Sequence, residues 1–220
     1  MTTSARQLEY LDTLGIQVWV ERDKPAEREP ENLNLSISAE NLSELYTIAE
    51  QCQRCEAAKT RKQVVFSDGP MQADWLIVGD FLSEQDESQG QPFTDNAARL
   101  LSEVLLAVGV NKQARYLTTS VKCHSAGASF ETTELASCRP YLLRQIELVK
   151  PAVIVVLGEK ATQSLLKTPK PLSALFGEVQ EVDDISVPIV ATHHPLHLLA
   201  EPLAKRQVWA DIQLANSLIK

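Results

Sequence analysis

Four cysteines, Cys52, Cys55, Cys123 and Cys138, are the residues whose type and spacing most directly suggest chemistry in this 220-residue chain. Cys52-x2-Cys55 is a close pair, and Cys138 follows Cys123 after fourteen intervening residues. The chain has no other cysteine, so all of its soft thiolate donors can meet in one site. The start, Met1-Thr-Thr-Ser-Ala-Arg, lacks the apolar core of a signal peptide, which places the protein in the cytoplasm. Disulfides are rare there, so structural pairing explains the cysteines less well than a metal does. Tetrahedral zinc and a [4Fe–4S] cluster both accept four thiolates, and the spacing alone does not separate them. Four unrelated buried thiols is the plainer alternative, and using every cysteine with a close pair weighs against it.

The remaining composition narrows the partners. A formal charge of −8 and a pI near 5.1 exclude broad electrostatic capture of nucleic acid, which relies on many Lys and Arg contacts to phosphate. Two basic clusters, Lys59-Thr-Arg61-Lys62 and Lys205-Arg206, read first as solvated surface and second as a weak DNA contact. With 44% hydrophobic and 23% charged residues the chain is of soluble globular type, and no apolar run approaches the roughly 20 residues that span a bilayer.

The elements that must position the cysteines follow from periodicity. Asn41 to Cys52 reads as a helix, with Leu42, Leu45 and Ile48 on one face and Asn41 and Glu44 at capping-box spacing. Val64–Phe66, Trp75–Val78, Tyr116–Leu117, Val153–Leu157 and Ile189–Ala191 read as buried strands, of the kind found in a parallel sheet covered on both faces. Helices fit at Asp95 to Val108, Thr132 to Val149, Lys160 to Leu166 and Leu203 to Ile219. The alternation predicts an α/β fold, a three-layer α/β/α sandwich around a mainly parallel sheet, with ligands at the carboxyl ends of the strands. Glu84, Asp86 and Glu87 fall in a polar loop and read as solvated, and His193, His197 and His124 as ordinary polar positions.

The motifs in order are Cys52-x2-Cys55 with Thr60-Arg61; Ile77-Val-Gly79 with Gly90-x-Pro92-Phe93; Tyr116-x-Thr118-x2-Val-Lys-Cys123; Cys138-x-Pro140; Leu157-Gly158; His194-Pro195; and Lys205-Arg206-x-Val-Trp209-x-Asp211. Together they resemble the family-four, iron–sulfur uracil-DNA glycosylases, from about Cys52 to Asp211. The resemblance implies a [4Fe–4S] cluster on Cys52, Cys55, Cys123 and Cys138. It also implies a pocket that takes a base flipped from the stack. In that family a Gly-Glu-Ala-Pro-Gly loop positions water, a Phe stacks on the base, an Asn reads it, and the His of a His-Pro pair stabilises the departing anion. Phe93 and His194 keep their family identities. The water loop here is Gly79-Asp80-Phe81-Leu82-Ser83, and Thr119 stands where the family has Asn. Asp80, Phe93, Thr119 and His194 are therefore expected as vestiges of a pocket, with no catalytic residue.

The amino-terminal stretch carries a second resemblance. A helix is expected over Ser4 to Leu14, closed by Gly15, and Glu21 to Asn34 has no hydrophobic period. Residues 1–20 read as a partner-binding peptide, 21–38 as a linker and 39–220 as the glycosylase-like domain. Gln7 to Trp19 resembles the start of the psi-subunit family of bacterial DNA polymerase III clamp loaders, a family related to the uracil-DNA glycosylase fold. That implies a non-catalytic bridge in DNA replication. Leu11, Leu14, Ile16 and Trp19 would anchor on the clamp-loader ATPase subunits. The domain would bind the chi subunit and, through it, single-strand-binding protein. The second reading is an active iron–sulfur uracil-DNA glycosylase using His194, Asp80 and Phe93, and a cluster-bearing redox module is a third, without specific support.

Overall fold

The run Val153–Leu157, apolar at every position, forms the middle strand of the sheet in a computed structural model that describes residues 13–14, 37–125 and 132–219. Leu33–Lys220 is a compact unit of its own and contains every element of that sheet. Of the expected partner anchors only Leu14 is among the described residues; Leu11, Ile16 and Trp19 lie outside them, as does most of the Ser4 to Leu14 helix.

In chain order the elements are α1 (Leu42–Glu50), α2 (Glu56–Thr60), β1 (Trp75–Gly79), α3 (Glu84–Gln89), α4 (Asn96–Ala107), β2 (Arg115–Thr119), α5 (Thr132–Val149), β3 (Val153–Leu157), α6 (Glu159–Leu166), β4 (Val179–Val182), β5 (Ile185–Thr192), α7 (Pro195–Ala200) and α8 (Lys205–Ser217). Among the described residues five strands form one sheet in the order β2-β1-β3-β5-β4. All neighbours are parallel except β4 and β5. Alternate residues of each strand enter opposite cores. Ile77, Leu117, Val153 and Val155 pack with Leu101 and Leu105 of α4, Leu198 of α7 and Ile212 of α8. Leu76, Val78, Tyr116, Ile154 and Val156 pack with Leu142 and Ile146 of α5 and Leu165 of α6. The chain is therefore the expected three-layer α/β/α sandwich.

Two expectations are corrected. Val64–Phe66 is buried as predicted but is not a sheet strand, because its partners are scattered: Val65 N–H donates to Lys122 O at 3.0 Å, and the Phe66 carbonyl accepts from the Thr118 hydroxyl and the Gln145 amide. The antiparallel β4 has no counterpart among the expected strands. Its exposure alternates instead of forming an apolar run, since it is the edge strand of a hairpin turning at Asp183–Asp184.

That turn is pinned to the helical layer. Arg139 of α5 donates from both terminal nitrogens to the two Asp184 oxygens at 2.9 and 3.0 Å, and Lys167 adds a contact at 3.0 Å. The Arg139 hydrogen bonds hold the Asp184 carboxyl down to about 2. A depressed carboxyl contributes stability above its unfolded value of about 4, and that contribution disappears as pH falls towards 2. Denaturation midpoints of the wild type and Asp184→Asn are thus expected to differ at pH 7 and converge near pH 2. The partly exposed pair makes the difference small.

Candidate active site and cysteine centre

The parallel strands end in register. Gly79 of β1 pairs with Thr119 of β2 and with Leu157 of β3, which in turn pairs with Thr192 of β5. The residues just beyond them, Asp80, Ser120, Gly158 and His194, share one rim of the sheet. This is where an open α/β sheet offers a crevice.

Phe93 faces the end of β1. A Cβ on Gly79 would lie 2.7 Å from the Phe93 ring and 3.4 Å from the Thr119 methyl, so glycine is required for the ring to seat there. Phe93 itself has φ +58, an uncommon conformation for a bulky residue. His194 caps α7, and its Nδ1 accepts the Leu196 N–H at 3.3 Å. The imidazole is nearly parallel to Phe93 (6.0 Å, 18°) and to Phe81 (5.4 Å, 24°). Burial lowers its pKa to about 4, against the opposing charges of Asp95 and Asp86. With Nδ1 accepting, the single proton of the neutral ring sits on Nε2. Of the two bulky loop residues, Leu82 is buried and Phe81 leans on His194 while staying part-exposed.

Asp80 and Thr119 are committed elsewhere. The Thr119 hydroxyl donates to Val121 O at 2.5 Å, leaving its methyl towards Gly79 and Phe93. Helix α6 begins after Gly158, which has no side chain to cap it, and Asp80 does so from another strand: Ala161 N–H donates to Asp80 Oδ1 at 2.6 Å. Burial raises the Asp80 carboxyl to about 6, with the Ala161 amide and Lys160 acting the other way.

The acidic segment read as a solvated loop is instead a short capped helix with two buried carboxylates. Ser83 and Asp86 form a capping box. The Asp86 carboxylate also accepts from the Thr94 N–H and hydroxyl, both at 2.8 Å, which clamps the loop carrying Phe93. Glu87 accepts from Lys62 N–H at 2.8 Å and stands 3.6 Å from His124. Ser83-x-x-Asp86 is a capping signature, so the helix was detectable from sequence, but the burial was not.

The four cysteines come together. Cys52 follows α1, Cys55 precedes α2, Cys123 follows β2 and Cys138 lies on α5, and all four line one small pocket with Arg54, Lys122 and Tyr141. Each sulfur is approached by a donor. Arg61 Nη1 donates to Cys123 Sγ at 3.2 Å. The Lys122 N–H faces Cys138, the Ala58 and Ala57 amides face Cys55, and the Tyr141 hydroxyl faces Cys52. Burial nevertheless pushes the free Cys138 thiol up to about 12 and raises Cys55 and Cys123. Burial likewise lowers Lys122 to about 7, opposed by Cys138 and Cys123. Arg61 is not the solvated surface cation expected, since its guanidinium also bonds the Ala49 and Glu50 carbonyls at the end of α1.

Among the described residues no group of three or more His, Cys, Asp or Glu is placed to hold a single metal ion. A tetrahedral zinc would draw the four sulfurs to about 3.8 Å of one another, given Zn–S bonds of about 2.3 Å. Four thiolates are a donor set that suits zinc and an iron–sulfur cluster alike.

Residues 66–213 match the Uracil DNA glycosylase superfamily model. The chain belongs to that superfamily. It is similar to proteins named Type-4 uracil-DNA glycosylase from Thermotoga maritima (31% identical over 175 residues, covering 78% of this chain and 91% of the relative), Archaeoglobus fulgidus (28% over 186 residues, 81% and 94%) and Pyrobaculum aerophilum (27% over 181 residues, 79% and 92%). These relatives overturn the expected non-catalytic bridge. They are named as glycosylases, and nothing found supports the psi-subunit reading or the clamp-loader ATPase, chi and single-strand-binding partners. The misleading signal was a short amino-terminal peptide, while the superfamily match spans most of the folded unit. No helix among the described residues is long and apolar enough to cross a membrane.

Proposed function

We propose that this superfamily member excises uracil, or another altered base, from DNA by hydrolysing the bond between base and sugar. The observation that carries the reading is the meeting of Phe93 and a neutral, half-buried His194 at the carboxyl end of the sheet. Phe93 would serve as the platform on which a flipped base stacks. His194 Nε2–H would donate to the base carbonyl oxygen as electrons of the breaking C–N bond move into the ring, and water adds to the sugar carbon, its extra proton passing through solvent to the departed base anion. A neutral imidazole suits this task, because it supplies its hydrogen bond where charge develops without needing to be protonated first.

The other two pocket positions have different duties in this reading. Asp80 holds the β1 turn against α6 and does not activate water. Thr119 forms an apolar floor and does not read the base edge. The chain therefore keeps the leaving-group half of the chemistry, and bases that depart readily are its favoured substrates. Leu196 and Leu199 are exposed on α7 beside His194, with exposed Leu203 and the Lys205-Arg206 pair following, so the rim offers apolar and basic contacts to a DNA strand.

Cys52, Cys55, Cys123 and Cys138 would hold a [4Fe–4S] cluster. Bound there, it supplies a structural cross-link between α1, the end of β2 and α5. The test of the function is to incubate the pure, iron-loaded protein with uracil-containing single-stranded DNA. Abasic sites are expected to accumulate with enzyme and time. Intact DNA after prolonged incubation at micromolar protein would overturn the reading.

A further inference from the structure

Lys122 is a buried lysine that the proposed reaction does not use. It is 2% exposed, and no carboxylate among the described residues forms an ion pair with it. Its Nζ donates to Thr118 Oγ1 and to the Thr119 carbonyl, each at 2.6 Å, and stands 5.8 Å from the centre of the Phe66 ring. All three partners are neutral. A buried ammonium with only neutral partners is costly, and anions nearby would repay that cost.

The candidate anions are the cysteine sulfurs. Lys122 precedes Cys123, its own N–H faces Cys138, and it lines the same pocket as all four cysteines. Four thiolates on a cluster give that centre a net negative charge, and Arg61, bonded to Cys123 Sγ, is a second cation beside it. The Lys122 side chain points from this centre to the last residue of β2, where the Thr119 methyl borders the seat of Phe93.

We propose that Lys122 is an internal counter-cation of the cysteine centre and the strut through which that centre holds the floor of the base pocket. The inference rests on the cluster reading given above. Orienting groups around a metal centre are worth about tenfold or more in retention of the metal. Lys122→Gln keeps N–H donors for Thr118 and Thr119 but removes the charge. The cluster in Lys122→Gln is expected to bleach in air about tenfold faster than in the wild type, with a more negative midpoint potential. Lys62→Gln, at an exposed lysine of the neighbouring segment, should match the wild type.

A second measurement needs no variant. Removing iron from the wild type with a chelator should raise amide hydrogen exchange at residues 118–122. Wild-type bleaching and potential in Lys122→Gln, or unchanged exchange in the stripped protein, would sink the proposal while leaving the cluster in place. A wild type purified anaerobically without iron or acid-labile sulfide would instead remove the cluster reading itself, and the counter-cation with it.

Discussion

Replacing His194 by alanine is expected to lower base release from uracil-containing DNA by about 10²–10³-fold, the usual cost of losing one hydrogen-bond donor aimed at developing negative charge. The loss should appear in kcat, with KM little changed, because stacking on Phe93 remains available to the bound base. His194→Gln, which retains an N–H donor, should recover part of the rate. Because burial lowers the imidazole to about 4, the ring is neutral throughout the working range, and the pH–rate profile should show no inflection near the ordinary histidine value of about 6.5. Single-turnover kinetics on a uracil-bearing oligonucleotide from pH 5 to 9 make the check. Equal rates for His194→Ala and the wild type would mean that the superfamily fold performs its chemistry here through other residues.

Gly158→Ala is expected to harm the fold severely. Gly158 has φ +101, which L side chains rarely adopt, and an added Cβ would lie 1.9 Å from Asp80 Oδ2 and 2.4 Å from Asp80 Cγ. To make room Asp80 must leave Ala161, so α6 loses its cap and a carboxyl already raised to about 6 by burial loses its partner. Backbone strain of about 1–3 kcal/mol and a lost cap of about 1 kcal/mol together come to roughly 3 kcal/mol. At about 2–4 °C per kcal/mol for a domain of this size, the melting temperature should fall by roughly 6–12 °C. Asp80→Ala in the Gly158→Ala background removes the clash but not the strain. The two losses are therefore expected to be strongly non-additive. Additive losses would show that Asp80 and Gly158 do not touch.

The contrast between Asp80 and Asp86 shows where sequence reasoning stops. Asp80 stands out in the sequence because it follows a strand in a known motif position, and the structure ties it to a helix that begins 79 residues later in the chain, at Glu159. Asp86 reads as solvent-facing because its neighbours are Gln85, Glu87 and Ser88. It is 6% exposed and clamps Thr94 beside Phe93. A polar residue's burial is set by what folds over it, and that does not appear in its neighbours' polarity.

The amino-terminal peptide errs in the opposite direction. Gln7 to Trp19 suggests partners for the whole chain from a few local matches, and the relatives of the folded unit carry another function.

What the sequence by itself determined is the part governed by local periodicity and composition. The apolar runs Trp75–Val78 and Val153–Leu157 became β1 and β3, and Thr132 to Val149 became α5 with the bounds its pattern predicted. The four cysteines read as one site, and the structure lines one small pocket with all four. Only the tertiary structure decided the direction of each polar group at the strand ends. It turned the Thr119 hydroxyl to Val121, gave Asp80 to α6, placed Asp86 under the Phe93 loop and buried Lys122 between the cysteines and β2. The physical reason is common to all four. A hydrogen bond's value depends on which donor or acceptor the fold brings within about 3 Å. Asp80 meets Ala161 from far along the chain, while Thr119, Lys122 and Asp86 meet near neighbours in sequence whose direction is set by the turn of the backbone and does not show in residue type.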